Sequence, residues 1–308
     1  MTKVFIDGSA GTTGLRIAER LAQRKDIALV LLPEEARKDL GARAAAMAEA
    51  EIVFLCLPDD AAREAAAVAG ATAVIDTSTA HRTDPAWVYG FPELHGQREK
   101  IAGSKRIANP GCHAGGFISL IAPLVREGWL APDEPLSCFS VTGYSGGGKK
   151  MIAEYETPSR PAEFDAPRQY ALGQIHKHLP EMTALCGLTV PPIFCPIVAD
   201  YYSGMTVTVP LHASQLRGDP AMLPDFYRSY YPGPIVRYAE VGGAMADSNG
   251  LSGRDDMLIS VAGNAERILL ISRFDNLGKG ASGAAIQNMN ILLGVDETTG
   301  LVLGGETT

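Results

Sequence analysis

The feature that most constrains the fold is a short segment that is apolar at every position. Residues 52–57 read Ile-Val-Phe-Leu-Cys-Leu. A strand with one face in water alternates polar and apolar residues, so this run indicates a parallel strand covered by helices on both faces. Further strands are predicted at residues 4–7, 27–32, 73–76 and 106–108. Helices are predicted between them at 14–23, 36–49 and 61–69. The alternation predicts a doubly wound parallel sheet.

The pattern changes after residue 111. Helices are predicted at 112–127 and 281–293. Between them, strands are predicted at 136–144, 191–198, 203–211, 235–238, 258–263 and 268–275. These segments are typical of an α+β domain with a mostly antiparallel sheet.

Composition and charge exclude several classes of function. The 308 residues suffice for about two domains, and a net charge of −8 argues against a general nucleic-acid binder. No signal peptide is expected, and the apolar run at 117–125 is shorter than the roughly 20 residues that span a bilayer. Five cysteines without CxxC pairs indicate unpaired thiols in a reducing compartment and predict no zinc site. We therefore expect a cytoplasmic protein with no membrane segment.

A glycine-rich loop follows the first predicted strand and begins the first predicted helix. It reads Gly8-Ser-Ala-Gly11-Thr-Thr-Gly14. Glycines let the backbone approach a pyrophosphate, and a helix N-terminus offers N–H donors at the positive end of its dipole. Gly8, Gly11, Thr12 and Gly14 are therefore candidate dinucleotide-binding residues of a Rossmann-type domain.

The end of the second strand is expected to contact the adenosine ribose. An acidic residue there favours the 2′-hydroxyl of NAD, and a basic residue favours the 2′-phosphate of NADP. Both signs are present, because Glu34 and Glu35 are followed by Arg37 and Lys38. We predict NADP, held by Arg37 and Lys38, with NAD as the open alternative.

The candidate nucleophile is Cys112. It follows the Pro-Gly turn of Asn109-Pro-Gly-Cys112 and begins an apolar helix. The N–H groups and dipole of a helix N-terminus favour a thiolate there, which is what covalent catalysis by a thiol requires. The remaining cysteines, expected to be inert, are Cys56, Cys138, Cys186 and Cys195.

A proton-transfer partner for this thiol is predicted in the segment His176-Lys-His178-Leu-Pro-Glu181. Two histidines at i and i+2 of an extended chain point the same way. His113 follows Cys112 directly, but on a helix a neighbour at i+1 points away by about 100°. We therefore expect His176 or His178 to serve Cys112. A metal would need further ligands, and none are evident.

These motifs resemble the N-acetyl-γ-glutamyl-phosphate reductase family, in particular its shorter, type 2 form. Besides the glycine loop, Cys112 and the His-x-His segment, the resemblance rests on two stretches in the expected order. They are residues 140–149 (Ser-Val-Thr-Gly-Tyr-Ser-Gly-Gly-Gly-Lys) and 275–288 (Asp-Asn-Leu-Gly-Lys-Gly-Ala-Ser-Gly-Ala-Ala-Ile-Gln-Asn). The wider group includes the aspartate-semialdehyde dehydrogenases.

The resemblance implies an NADPH-dependent acyl-phosphate reductase of arginine biosynthesis, acting on a small molecule. Cys112 would attack N-acetyl-γ-glutamyl phosphate and expel phosphate, and the thioester would accept hydride to give N-acetylglutamate 5-semialdehyde. His178 matches the family's acid–base position best, with His176 close behind, and Glu181 would orient the imidazole. A homo-oligomer, dimer or tetramer, is also implied.

The resemblance further implies domain limits and additional site residues. We expect a dinucleotide-binding domain at 1–111, a catalytic domain at 112–280, and a C-terminal segment at 281–308 that returns to the first domain. Implied substrate-binding residues are Arg82, Asn109, Ser145 and Lys149. Implied cofactor-binding residues are Ser282 and Asn288.

Two other functions stay open at the level of sequence. One is reduction of a different acyl phosphate, such as aspartyl phosphate, since substrate identity depends on a few side chains. The other is a non-catalytic NADP-binding sensor. A sensor has no need of a thiol at a helix start or of the two histidines, so their presence favours the enzyme.

Overall fold

The computed structural model describes residues 1–304, and the chain divides into two compact units. The first comprises Met1–Pro110 and Ala281–Leu301, and the second comprises Gly111–Gly280 with residues 302–304. The chain therefore leaves the first unit immediately before Cys112 and re-enters it after Gly280. Residues 305–308 of the predicted C-terminal segment lie outside the described residues.

The first unit is a parallel sheet with helices. Its strands are β1 (Thr2–Asp7), β2 (Ile27–Val30), β3 (Ile52–Leu55), β4 (Ala73–Asp76), β5 (Val88–Tyr89) and β6 (Arg106–Ala108). Its helices are α1 (Thr12–Leu21), α2 (Leu40–Glu49), α3 (Asp59–Val68), α4 (Gln97–Ala102) and α9 (Gly283–Leu292). The strand order is β2-β1-β3-β4-β6-β5, and the pairs are parallel. The predicted Rossmann-type α/β sheet is confirmed.

Strand β3 lies in the interior of this unit, as its composition predicts. Ile52 and Phe54 belong to one hydrophobic cluster, which also includes Ile286 of α9. Val53 and Leu55 belong to a second cluster. Successive side chains of a strand point to opposite faces, so both faces of β3 are covered. A polar residue is therefore not tolerated at either the odd-numbered or the even-numbered positions of this strand.

The helices of the first unit begin at different residues from those predicted, by two residues at α1 and α9 and by four at α2. The region predicted as a helix from residue 36 first forms a short 3₁₀ turn at Glu34–Ala36. Helix α2 then begins at Leu40, because the Asp39 carboxylate caps it by accepting a hydrogen bond from the Ala42 N–H at 2.7 Å. Helix α3 begins two residues early, after Pro58, which fixes a backbone angle suited to a helix start. The sequence patterns did not predict β5 and α4.

The second unit is built on a mixed sheet. Its strands are β7 (Ser137–Gly143), β8 (Arg168–Gln169), β9 (Ile193–Ala199), β10 (Met205–His212), β11 (Val236–Tyr238), β12 (Met257–Gly263) and β13 (Arg267–Phe274). Its helices are α5 (Cys112–Arg126), α6 (Gly148–Glu156), α7 (Leu179–Leu185) and α8 (Leu223–Tyr230). The order is β11-β12-β13-β10-β7-β9-β8, with only β11–β12 and β7–β9 parallel. The mostly antiparallel sheet is confirmed, while α6, α7, α8 and β8 were not predicted.

Helix α5 lies against the sheet of the second unit. Its residues 113–124 are all buried, which explains why it is apolar around most of its circumference. A methyl group at Gly116 would lie 2.4 Å from Val207 of β10 and 2.9 Å from Phe274 of β13, so glycine permits a close approach of helix and sheet. No helix among residues 1–304 is long and apolar enough to cross a bilayer.

Candidate active site

Cys112 is the first residue of α5. Gly111 precedes the helix in an extended conformation, and its carbonyl accepts the Gly115 N–H at 2.7 Å. The thiol is half-buried. At this position the unpaired N–H groups of the first helical turn and the positive end of the dipole stabilise a thiolate.

The other cysteines lie in less reactive surroundings. Burial raises the pKa of Cys56 to about 12 and raises the pKa values of Cys138 and Cys186 as well. Cys195 is half-buried on β9. A thiol whose ionisation is opposed by burial is a poor nucleophile, which distinguishes at least three of these cysteines from Cys112.

Glu181 supports the backbone that carries Cys112. Its side chain is 1% exposed on α7, and its Oε1 accepts a hydrogen bond from the Gly111 N–H at 2.8 Å. A hydrogen bond to a buried carboxylate is among the stronger ones in a protein. The sequence assigned Glu181 to the imidazole, whereas the structure gives it this additional role at the residue before the nucleophile.

Three histidine rings cluster at His113, the residue that follows Cys112. The His113 ring lies 5.9 Å from the His176 ring and 5.7 Å from the His178 ring, and His176 and His178 are 4.8 Å apart. The position of His113 directly after Cys112 predicts only the direction of its side chain relative to the thiol. It carries no information about α7 and the preceding loop, which bring His176 and His178 to the His113 ring.

His113 is held by two hydroxyl groups that the sequence reading missed. Its Nδ1 lies 2.6 Å from the Ser140 Oγ of β7, and its Nε2 lies 2.8 Å from the Tyr170 hydroxyl. Burial, and then the charge of His176, lower the pKa of His113 to about 3. His113 is therefore neutral at physiological pH. No short-range pattern links these residues, since Ser140 is 27 positions and Tyr170 57 positions from His113.

His176 and His178 differ in exposure and in hydrogen bonding. His178 is 5% exposed, and its backbone N–H donates to the His176 Nδ1 at 3.2 Å. Burial, and then Lys177, lower the pKa of His176 to about 4. His176 is thus a neutral imidazole with its proton on Nε2 at physiological pH.

Two of the predicted substrate-binding residues lie after β7. Ser145 is 2% exposed, and its Oγ accepts a hydrogen bond from the Asn276 side chain at 3.0 Å. The Asn276 oxygen in turn accepts a hydrogen bond from the Gly204 N–H at 2.8 Å. Asn276 therefore holds the loop after β7 against the residue that precedes β10. Lys149 is exposed near the start of α6.

In the first unit, the glycine loop borders a cavity of about 250 Å³ that is lined by the ends of β1 and β2, residues 8–10 and Arg37. A methyl group at Gly8 would lie 2.3 Å from the Cys56 carbonyl oxygen, and one at Gly14 would lie 2.5 Å from the Gly8 oxygen. These two glycines are required by the fold itself. Gly11 meets only ordinary contacts, at 3.5 Å and beyond, so its glycine leaves space for something outside the chain.

Thr12 adds a second observation at this loop. It is the first residue of α1, and its Oγ1 is buried with no hydrogen-bond partner within residues 1–304. Buried hydroxyl groups are normally paired, so this atom is suited to a phosphate oxygen at the helix N-terminus. The loop, the cavity and Thr12 together fit a dinucleotide. Arg37 lines the cavity, whereas Lys38 is exposed and does not.

The remaining predicted residues of the first unit are buried and hydrogen-bonded. Arg82 donates from Nε to the Asn109 carbonyl at 2.9 Å and from a terminal nitrogen to the Thr77 carbonyl at 3.0 Å. Asn109 donates to the Ala281 carbonyl at 3.0 Å. These contacts tie the ends of β4, β6 and the segment before α9 together. They give Arg82 a structural role beside the phosphate contact predicted from sequence.

Ser282 directly precedes α9, and Asn288 lies in the middle of this helix. Asn288 is fully buried, and its amide nitrogen donates to the Gly90 carbonyl at 2.9 Å and to Asn109 at 3.2 Å. A methyl group at Gly90 would lie 2.4 Å from that nitrogen. The Asn288 amide oxygen is buried without a hydrogen-bond partner in the described part of the chain. Ser282 is 1% exposed.

Two family models match the chain. One, described as semialdehyde dehydrogenase, NAD binding domain, matches residues 3–104. The other, described as semialdehyde dehydrogenase, dimerisation domain, matches residues 112–276. The border between the two matches lies just before Cys112.

Solved structures with this fold include aspartate semialdehyde dehydrogenase II from Vibrio cholerae. It matches with a TM-score of 0.72 and 17% identity, over 95% of this chain and 98% of that chain. Aspartate semialdehyde dehydrogenase with NADP from Candida albicans matches with a TM-score of 0.65 and 14% identity, over 94% of this chain and 98% of that chain. At these identities the likeness establishes the fold alone.

Curated relatives are much more similar in sequence. N-acetyl-gamma-glutamyl-phosphate reductase 2 from Nostoc sp. is 42% identical over 97% of this chain and 99% of the relative. N-acetyl-gamma-glutamyl-phosphate reductase from Brucella anthropi is 44% identical over 95% of this chain and 98% of the relative. With this identity over nearly the full length of both chains, and with Cys112 at the start of its helix, the chain belongs to the N-acetyl-γ-glutamyl-phosphate reductase family.

Proposed function

We propose that this protein reduces N-acetyl-γ-glutamyl phosphate to N-acetylglutamate 5-semialdehyde and phosphate with NADPH, in arginine biosynthesis. The observation that carries the proposal is the position of Cys112 at the start of α5, directly before His113, whose ring contacts the rings of His176 and His178, in a chain of this family. A sensor of NADP would need only the first unit.

Cys112 is the proposed nucleophile. Its thiolate attacks the γ-acyl carbon, a carbon–sulfur bond forms, and the bond to the phosphate oxygen breaks with its electron pair leaving on phosphate. Bound NADPH supplies the hydride that reduces the resulting thioester. The carbon–sulfur bond then breaks, the electron pair returns to sulfur, and the aldehyde leaves with Cys112 again a thiolate.

His178 is the proposed acid–base residue. It takes the proton of the Cys112 thiol, gives it to the departing phosphate, and regains a proton from solvent before the next turnover. His176 suits this task poorly, because a group with a pKa of about 4 is too weak a base to remove a thiol proton. His176 is proposed instead to donate a hydrogen bond from Nε2. Glu181 holds the Gly111 backbone, and so the sulfur, in place.

The cofactor is proposed to lie on the glycine loop. Gly8, Gly11, Thr12 and Gly14 would receive the pyrophosphate, and Arg37 with Lys38 the 2′-phosphate of NADPH. Ser282 and Asn288 are proposed to border the nicotinamide. For the substrate, we propose that Arg82 and Lys149 attract its anionic groups while Asn109 and Ser145 keep the surrounding loops in place.

A homo-oligomer, dimer or tetramer, is proposed to form through the sheet of the second unit. Phe139, Ile193 and Leu269 are 44%, 59% and 40% exposed on this sheet, although large apolar side chains are usually covered. The matching family model is described as a dimerisation domain, which favours a second copy of this chain as the cover. Phe139→Asp is expected to lower the mass measured by light scattering, with exposed Tyr202→Asp as the control.

The protein is proposed to act in the cytoplasm on a small molecule, with no nucleic acid or membrane as partner. Its cysteines form no disulfide within residues 1–304, and its net charge is −8.

The reaction is tested most directly in reverse. N-acetylglutamate semialdehyde, phosphate and NADP are expected to yield NADPH, read as absorbance, at a rate well above that with aspartate semialdehyde. Cys112→Ser is expected to lower turnover at least about 10³-fold while NADPH still binds. Equal rates with aspartate semialdehyde would contradict the substrate, and full activity of Cys112→Ser would contradict the covalent route.

A further inference from the structure

The side chains of Ser140, His113 and Tyr170 form a hydrogen-bonded triad, and its central residue, His113, directly follows Cys112. Ser140 Oγ and His113 Nδ1 are 2.6 Å apart, and His113 Nε2 and the Tyr170 hydroxyl are 2.8 Å apart.

The number of protons available limits the hydrogen bonds that Ser140, His113 and Tyr170 can make. A serine hydroxyl, a neutral imidazole and a phenol carry one proton each, and the two hydrogen bonds use only two of the three. His113 is neutral because burial lowers its pKa to about 3. One proton is therefore not used between these three residues, and it belongs either to the Ser140 hydroxyl or to the Tyr170 hydroxyl.

The Ser140 end is the unfavourable place for the unused proton. Ser140 is fully buried in β7, and His113 Nδ1 is the one hydrogen-bond partner of its hydroxyl among the residues the structure describes. A buried hydroxyl proton without an acceptor costs about 1–3 kcal/mol. Ser140 therefore donates to Nδ1, His113 donates from Nε2 to the Tyr170 oxygen, and the unused proton is that of Tyr170.

The Tyr170 hydroxyl lies 2.8 Å from the Nε2 of His113, the residue that directly follows Cys112. Burial, and then the negative charge of Cys112, raise the pKa of Tyr170, as expected of two groups close together. The Tyr170 ring is also 5.9 Å from the His176 ring, so the hydroxyl faces the same cluster.

The loop that carries Tyr170 is held firmly on β9. The Tyr170 N–H donates to the Pro196 carbonyl at 3.0 Å. The Gln174 amide makes two hydrogen bonds with the Phe194 backbone, at 2.8 and 2.9 Å. Gln174 and Ala171 both adopt positive φ angles, of 54° and 52°, which tighten the turn between Tyr170 and His176.

We propose that Ser140 and His113 orient the Tyr170 hydroxyl so that it donates a hydrogen bond to the Cys112 thiolate. Tyr170 then stabilises the charged nucleophile from the side, while the helix N-terminus does so through its N–H groups. His113, although adjacent to the nucleophile in sequence, acts as a positioning residue. This inference rests on the proposed role of Cys112.

The test is the pH dependence of Cys112 alkylation by iodoacetamide, followed by mass spectrometry of the Cys112 peptide without substrate or cofactor. Tyr170→Phe removes the donor and is expected to move the midpoint of the alkylation rate upward by about one pH unit. Ser140→Ala leaves Tyr170 in place but releases the imidazole, so a smaller upward shift is expected. In steady-state assays, Tyr170→Phe is expected to lower kcat about tenfold with little change in KM.

Tyr227→Phe is the matched control. The Tyr227 hydroxyl is also buried and donates to the Leu120 carbonyl of α5 at 2.6 Å, so its loss perturbs the same helix without touching the proposed chain. Its alkylation midpoint is expected to equal that of the wild type. An unchanged midpoint in Tyr170→Phe, or an equal shift in Tyr227→Phe, would overturn the inference. Because Cys112→Ser tests the reaction separately, failure of one proposal is distinguishable from failure of the other.

Discussion

The dinucleotide loop and the surroundings of Cys112 are built in opposite ways. The loop is local in sequence, and its function depends on atoms that are missing, namely the side chains of Gly8, Gly11 and Gly14. The thiol depends on groups that are present and distant. Glu181 is 70 positions from the Gly111 that it holds, and Tyr170 is 57 positions from His113.

This difference determines how each region responds to substitution. At Gly8 and Gly14 of the loop, an added methyl group meets backbone atoms, which cannot move away easily. Around Cys112, a removed polar group leaves a buried partner without its hydrogen bond, and the cost depends on which partner is left.

The largest effect is expected at His178. His178→Asn is expected to lower kcat by about 10²–10³-fold, because the acid–base group is lost while the side chain stays polar. His176→Asn is expected to lower kcat only about tenfold. Steady-state kinetics with N-acetylglutamate semialdehyde measure both. The reverse order of the two effects would assign the acid–base role to His176.

A smaller effect is expected at Glu181. Glu181→Ala removes the acceptor of the Gly111 N–H and is expected to lower the free energy of unfolding by about 1–3 kcal/mol in urea titrations. Its kcat is expected to fall as well, since the backbone before the sulfur loses its support. The control is Glu154→Ala on α6, where a more exposed carboxylate should change stability by less than about 0.5 kcal/mol. Equal losses in both variants would remove Glu181 from the site.

In the first unit, Arg37 offers the corresponding test. Arg37→Ala is expected to weaken NADPH binding about tenfold, measured by quenching of protein fluorescence, and to leave NADH binding unchanged. Lys38→Ala is expected to have a smaller effect, because Lys38 does not line the cavity. If both cofactors weaken equally in Arg37→Ala, the 2′-phosphate lies elsewhere.

The smallest effect is expected in the pH dependence of stability. The pKa of His113 is about 3 in the folded protein, against an ordinary value of 6.5. Between these values the unfolded chain binds the additional proton, so the contribution of His113 to stability rises with pH and is lost as the pH falls from 6.5. His113→Gln is expected to reduce the slope of unfolding free energy against pH by about 1 kcal/mol per pH unit between pH 4.5 and 6.5. An unchanged slope would mean that His113 is solvated.

Sequence reasoning succeeded where a residue's neighbours in space are also its neighbours along the chain. Three segments show this: the apolar run of β3, the turn before Cys112 and the glycine loop. The structure of each one follows from the residues within the segment itself. The parallel and antiparallel sheets could be predicted for the same reason, since each strand shows its burial in its own pattern.

It fell short where a contact crosses the fold. The hydrogen bond that holds Ser145 to Asn276, 131 positions away, had no local signal. Nor did the two backbone carbonyls to which Arg82 donates, which give it a structural role beside the predicted phosphate contact. Ser140 and Tyr170 carried no signal, because a hydroxyl group has no distinctive spacing until the strands place it against an imidazole.

The bare backbone at Gly116 has a consequence for the chemistry one helical turn away. Cys112 and Gly116 are at i and i+4, so they share a side of α5, and the depth at which that side rests on Val207 and Phe274 also sets the height of the sulfur. Any side chain at position 116 would push α5 away from the sheet and displace the Cys112 sulfur from its partners. A substitution in the buried interior would then be measured in kinetics as a loss of reactivity at Cys112.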